Sequence, residues 1–175
     1  MTLSVLKAEE VTPTMLDLFD RTQETVTVVA LENDKWMEKE DSFKEQWSLT
    51  EKRKIVAHIL HTINTGGNVV VAKEQDQVVG FAVLEAGHFG KTSVYKELSY
   101  LHVTKAMRGK GIGKQLFVMA KKIAKESGAE KLYIGAHPAI ETQQFYKRAG
   151  CVPAKEIHLP IYERERRDIQ LEAVL

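Results

Sequence analysis

The apolar residues of this chain fall into two rhythms, every second position for strands and every third or fourth for helices. Leu3 to Lys7 reads as a short first strand. Thr12 and Pro13 then suit a helix start, because proline at the first helical position gives up an N–H that has no partner there. Met15, Leu16, Phe19 and Val26 follow at helical spacing, while the β-branched run Thr25 to Val29 pulls toward strand. Leu31 to Trp47 is charged and irregular, with Trp36, Phe43 and Trp47 interspersed. Ser48-Leu49-Thr50-Glu51 is a capping box, and Ile55, Val56, Ile59, Leu60 and Ile63 form the buried stripe of the helix it opens. Gly66-Gly67 stops that helix.

Val69 to Ala72 is a continuous apolar run, expected to be covered on both faces. Val78 to Leu84 and Leu98 to Val103 continue it as a meander. From Gly111 the period becomes helical, with Ile112, Leu116, Met119 or Ala120, and Ile123 on one face, and Gly128 closing the helix. Lys131 to Gly135 is a short strand, and Pro138 opens a helix ending at Gly150. Strands over Val152 to Leu159 and Ile169 to Leu175 flank a charged turn, Glu163 to Asp168. The order β-α-α-β-β-β-α-β-α-β-β predicts a mixed α/β sheet in a single domain over residues 1–175.

Composition narrows the function classes. With 43% hydrophobic and 28% charged residues, the profile is that of a soluble globular chain. A net charge of +1 lacks the concentrated basic excess that nucleic-acid binding needs, so no nucleic-acid partner is expected. No apolar run is long enough to cross a bilayer, and the N-terminus does not read as a signal peptide, so no membrane partner is expected. Cys151 is the single cysteine, which excludes an intrachain disulfide and suits a cytoplasmic location.

Candidate chemistry concentrates in Arg108-Gly109-Lys110-Gly111-Ile112-Gly113-Lys114, between a strand and an amphipathic helix. Glycine lets a backbone approach an anion closely, and free N–H groups at a helix start attract it. Arg108, Lys110 and Lys114 add mobile positive charge, so a diphosphate is the natural guest. A Walker loop would need Gly at 108 and Ser or Thr at 115, where Arg108 and Gln115 stand. Dinucleotide fingerprints starting at Gly109 or Gly111 fail at Lys114 and Leu116.

The pattern Arg-x-x-Gly-x-Gly, present as Arg108 to Gly113, resembles the acyl-CoA loop of the GNAT superfamily of N-acetyltransferases. Phe145-Tyr146-Lys147-Arg148-Ala149-Gly150-Cys151 is similar to that family's Phe-Tyr-x-x-x-Gly-Phe segment, and the element order matches over nearly the whole chain. The resemblance implies a central sheet whose two neighbouring parallel strands, Leu98 to Val103 and Lys131 to Gly135, splay around coenzyme A. The main chain of Leu101, His102 and Val103 would bond the pantetheine, and Arg108, Gly109, Lys110, Gly111, Ile112, Gly113 and Lys114 would hold the pyrophosphate. Acetyl-CoA would be the donor cosubstrate, with no metal, and a primary amine of a small molecule or peptide the acceptor. A sensor or partner-binding module that holds acyl-CoA without turnover is the alternative.

Under the same resemblance Tyr146 protonates the departing thiolate; a phenol of reference pKa about 10 keeps its proton at neutral pH. Tyr146 also borders the coenzyme. Glu97 falls where histone-type relatives carry a catalytic glutamate, and strand alternation would place it on one face with Ser99 and Leu101. His102, Tyr100 and Glu85 are rival bases. Many relatives carry an Asn seven residues before the tyrosine; here that position is Ala139, with Thr142 or His137 as substitutes. Trp36, Phe43 and Trp47 fall in the region that shapes the acceptor pocket in many relatives. His58 and His61 lie three apart on a helix without an evident third metal ligand. Cys151 reads as a small buried apolar residue, and Lys121, Lys122 and Lys125 as a solvated face. The family also leaves open a homodimer through the C-terminal strands.

Overall fold

The computed structural model describes residues 1–33 and 35–175. In chain order the elements are β1 (Thr2–Val5), β2 (Gln23–Glu32), β3 (Lys35–Glu45), α1 (Leu49–Asn64), β4 (Asn68–Glu74), β5 (Gln77–Leu84) and β6 (Tyr95–Val103). They continue with α2 (Ile112–Glu126), β7 (Lys131–Ala136), α3 (Ile140–Arg148), β8 (Val152–Pro153), α4 (Leu159–Tyr162) and β9 (Ile169–Val174). Seven strands form one mixed sheet in the order β1-β4-β5-β6-β7-β9-β8, while β2 and β3 form a separate two-stranded sheet. No helix among the described residues is long and apolar enough to cross a membrane.

Alternation within the strands divides the core into two layers. Val70 and Ala72 of β4 pack under α2 with Leu116, Phe117 and Ala120, whereas Val69 and Val71 pack under α1 with Ile55, Val56 and Ile59. Both faces of β4 are therefore covered, as its unbroken apolar run requires. The box at the head of α1 forms as expected: Glu51 N–H donates to Ser48 Oγ at 3.2 Å and Ser48 N–H to Glu51 Oε2 at 2.7 Å.

Three segments differ from the sequence expectation, one of them the stretch read as irregular over Leu31 to Trp47, in which Lys35–Glu45 forms β3. No helix forms after Thr12; Met15, Asp17 and Phe19 donate N–H bonds three residues back and the turns stop at Asp20. Leu16 and Phe19 are still buried, so the periodicity marked burial correctly. The turn ends there because Thr104 Oγ1 accepts the Asp20 N–H at 2.9 Å, and Asp20 Oδ1 accepts that of Thr22 at 2.9 Å. The β-branched run then enters β2. Near the C-terminus the expected strand over Val152 to Leu159 is cut to Val152–Pro153, and α4 begins at Leu159 with Pro160 in its first turn.

One pairing in the sheet positions the functional site. The parallel pair β6 and β7 is joined only from Tyr95, Lys96 and Glu97 to Lys131, Leu132 and Tyr133. Beyond those rungs β6 keeps to β5 and β7 keeps to β9, so the two strands part and leave backbone edges facing a gap. A bulge opens at the same level: Leu84 pairs with Leu98 and Val83 with Tyr100, leaving Ser99 extra.

Candidate active site

The gap opens into a cleft of about 910 Å³ that runs through the sheet between its two faces. On the α2 side its walls include Leu98, Leu101, Val103, Ile134, Ala136, Thr142, Phe145 and Tyr146. On the α1 side they include Arg21, Glu45, Tyr100, His102, His137 and Asp168.

The glycine loop closes one end. Gly109 and Gly111 have φ of 76° and 81°, which only glycine adopts without strain, and a Cβ on either would stand in open space. Gly111 is the N-cap of α2 and offers no side-chain acceptor, so the N–H groups of Ile112, Gly113 and Lys114 are left for a ligand. Gly113 faces α3, where a Cβ would come into ordinary contact with Phe145 Cε2 at 3.4 Å. These features fit a pyrophosphate. Lys114 lines the cleft, whereas Lys110 lies outside the lining with Nζ beside Met107 Sδ at 3.4 Å. Arg108 differs from the mobile cation expected. Its Nε donates to Val103 O at 2.9 Å, Nη1 to Thr22 O at 2.7 Å and Nη2 to Arg21 O at 3.0 Å. Its guanidinium fastens the loop to β6 and to the segment before β2.

Tyr146 sits in the wall where β7 leaves β6, 7% exposed, with its ring packed edge-on to Phe117 and Phe145. Burial, then the nearby Cys151 and Asp168, push its phenol far above the ordinary range, so it holds its proton firmly. Cys151 is buried and raised to about 11 by that burial, which makes it a poor nucleophile. Ala139 is fully enclosed by the approach of β2, where Val29 N–H donates to Pro138 O at 2.8 Å. His137 cannot stand in for an Asn there, since its Nδ1 accepts the Ala139 N–H at 3.1 Å and its Nε2 lies 2.8 Å from Glu45 Oε2. Thr142 remains on the wall.

The other face is aromatic and acidic. Trp47 stacks on Phe19, meets the His102 ring edge-on at 4.8 Å and lies under Arg21. Phe43 lies beside His137 and under Arg167. Trp36 is half exposed at the far end of the β2–β3 hairpin, away from the cleft. His102 is pushed down to about 3 by burial and by Arg21 and Arg108, so it is a weak base. Glu85 accepts from Ser99 Oγ at 2.5 Å, lies 2.6 Å from His58 Nε2 and accepts from Thr62 Oγ1 at 3.1 Å. Burial acts to raise its pKa, but these bonds outweigh it and keep the carboxylate ionised. Among the described residues no group of three metal-ligating side chains occurs, and His58 is engaged with Glu85.

Glu97 is placed differently from the expectation. It stands on the last rung that still pairs β6 with β7, outside the cleft lining, and its carboxylate is ion-paired with Arg164. The bulge at Ser99 also breaks the alternation, because Leu101 packs with the α2 core while Glu97 lies within electrostatic reach of Glu85 and His58. The sequence reading missed Asp168, which the structure brings into the wall. The available signal was its position directly before the apolar strand Ile169–Val174, which pairs with β7.

Comparison with known proteins accords with this geometry. A model of the GNAT acetyltransferase family matches residues 15–151. No curated protein matches the sequence. Among solved structures, a candidate streptothricin acetyltransferase from Bacillus anthracis in complex with acetyl coenzyme A is similar over 100% of this chain and 99% of its own, with TM-score 0.70 and 21% identity. A nourseothricin acetyltransferase gives TM-score 0.66 at 17% identity over 99% of both chains. PaiA N-acetyltransferase from Thermoplasma acidophilum in complex with coenzyme A gives 0.60 at 14% over 100% of both. At these identities the likeness is one of fold, and it is the family match over most of the chain, with the splayed sheet and glycine loop, that shows this protein to be a member of the GNAT family of acetyltransferases.

Proposed function

We propose that this protein transfers an acetyl group from acetyl-CoA to a primary amine of a small molecule or peptide by direct attack. The observation that carries this reading is the parting of β6 and β7 with Tyr146 in the wall and the uncapped start of α2 at one end. Acetyl-CoA supplies an activated thioester. The first-turn N–H groups of α2 hold its pyrophosphate, and the free edge of β6 at Leu101, His102 and Val103 lies along the pantetheine. An oxyanion needs a hydrogen-bond donor, and a backbone N–H of that edge supplies it. Tyr146 donates its proton to the sulfur; burial keeps the phenol neutral at every physiological pH, so the proton is present when the thiolate departs.

The test is thiol release from acetyl-CoA with a panel of amines: n-propylamine, spermidine, lysine-containing peptides, aniline and nourseothricin, the last prompted by the names of two neighbours. Acceleration by one or more amines is expected. Tight acetyl-CoA binding without acceleration by any amine would replace the transferase reading with that of a binding module.

A further inference from the structure

We infer that Asp168 is the acceptor-side base: its carboxylate receives the ammonium group of an aliphatic primary amine and takes the proton that must leave before attack. This rests on the acetyltransferase reading above. Tyr133, Gly135 and His137 alternate on one face of β7 and its extension, while Leu132, Ile134 and Ala136 face the α2 core together with Tyr146. Asp168 Oδ2 lies 3.8 Å from the point that a Cβ on Gly135 would occupy. It therefore stands over the backbone of β7 two residues beyond the last rung with β6. Residue 135, being glycine, puts no side chain of its own beside the carboxylate; Ile161 Cγ2 and Gln170 Nε2 lie at 3.3 and 3.7 Å from the same point, and Asp168 and Gly135 both line the cleft. Tyr146 is on the other side of the same strand, close enough for the Asp168 charge to act on its phenol. An acid and a base thus flank the opening from opposite faces, where a direct transfer needs them.

The other carboxylates of the wall are committed or in solvent. Glu45 is bound to His137 at 2.8 Å and faces Arg21 at 3.6 Å. Glu165 accepts the Arg167 N–H at 3.0 Å. Glu24 and Glu141 are exposed. Asp168 is half-buried, and no donor among the described residues bonds its carboxylate. The groups facing it are Glu165, Arg167 and Arg164 from its own segment, Glu45 from β3 and Tyr146 from α3. Burial, Glu165 and Glu45 raise it to about 7 against the two arginines, which leaves a base poised near neutral pH.

The proton balance closes. Asp168 takes one proton from the ammonium and later gives it to water. The nitrogen lone pair forms the C–N bond at the thioester carbonyl, and the C–S bond breaks with its electron pair going to sulfur. Tyr146 protonates that sulfur, and the second proton lost from nitrogen restores the phenol. Amide, free thiol and one released proton are the products.

The test compares Asp168→Asn with the wild type, using n-propylamine, spermidine and nourseothricin, all protonated at pH 7, and hydroxylamine, which is mostly neutral there. Asp168→Asn should lower kcat/KM for the protonated amines by about a hundredfold at pH 7, with the deficit shrinking as pH rises. With hydroxylamine the loss should stay within about fivefold, and acetyl-CoA affinity should change by less than about threefold. Full activity of Asp168→Asn, or an equal loss with hydroxylamine and the protonated amines, would overturn the assignment. A wild type inert toward every amine would instead remove the transferase reading and this inference with it.

Discussion

Arg108→Met separates a residue that fastens the loop from one that binds phosphate. The substitution deletes three hydrogen bonds from one guanidinium, to Val103 O, Thr22 O and Arg21 O. A hydrogen bond from a charged donor contributes about 1.5–3 kcal/mol, but the bonds to Val103 O and Thr22 O are exposed to water and only that to Arg21 O is part-buried, so the joint loss is about 2–3 kcal/mol. For a chain of this length each kcal/mol moves Tm by about 2–4 °C, giving a fall of about 4–12 °C. Thermal unfolding without ligand measures this, followed by the fluorescence of Trp47, which lies under Arg21 in the fastened segment. Arg108→Lys should recover about a third, because one ammonium cannot bridge three carbonyls. A Tm within about 1 °C of the wild type, together with a hundredfold loss of acetyl-CoA affinity, would refute the fastening role and make Arg108 a phosphate ligand.

Asp168→Asn should also stabilise the folded chain at high pH. A carboxyl whose folded pKa of about 7 lies above its ordinary value favours the fold when protonated, an advantage present below about pH 4 and lost as pH rises through 7. Urea unfolding should show the Asn variant about 1–3 kcal/mol more stable at pH 8 and indistinguishable at pH 4, after discounting for its partial exposure; a constant difference would contradict the raised pKa. Ser48→Ala removes the cap of α1 and should cost about 1 kcal/mol without affecting acetyl-CoA binding, as read by thermal melting and titration calorimetry. Gly111→Ala places a side chain at φ 81° and should cost about 1–2 kcal/mol while weakening acetyl-CoA binding; unchanged binding would mean that α2 does not hold the pyrophosphate.

The helices α1 and α2 and strand β4 were legible because burial on one or both faces writes itself into sequence as a period or an apolar run. The β2–β3 hairpin was not, since β3 is exposed for most of its length and has no alternation to read. Glu97 was misplaced because the extra residue Ser99 shifts the strand period, and nothing local announces a bulge. The glycine loop and Tyr146 were legible as contiguous local motifs, and both line the cleft. Arg108 did not: its partners Arg21 and Thr22 lie 87 and 86 residues away, so only folding reveals them. Asp168 looked like one more charge in a solvated turn, and its role depends on Gly135 of a neighbouring strand.

In the proposed transfer the gap between β6 and β7 presents a thioester to Tyr146. Tyr146→Phe tests it most directly, because the ring packing stays and only the hydroxyl is lost. Turnover of acetyl-CoA with an accepted amine should fall by about a hundredfold or more, while acetyl-CoA affinity stays within about threefold. Equal loss of turnover and affinity, or no loss of turnover, would contradict the account.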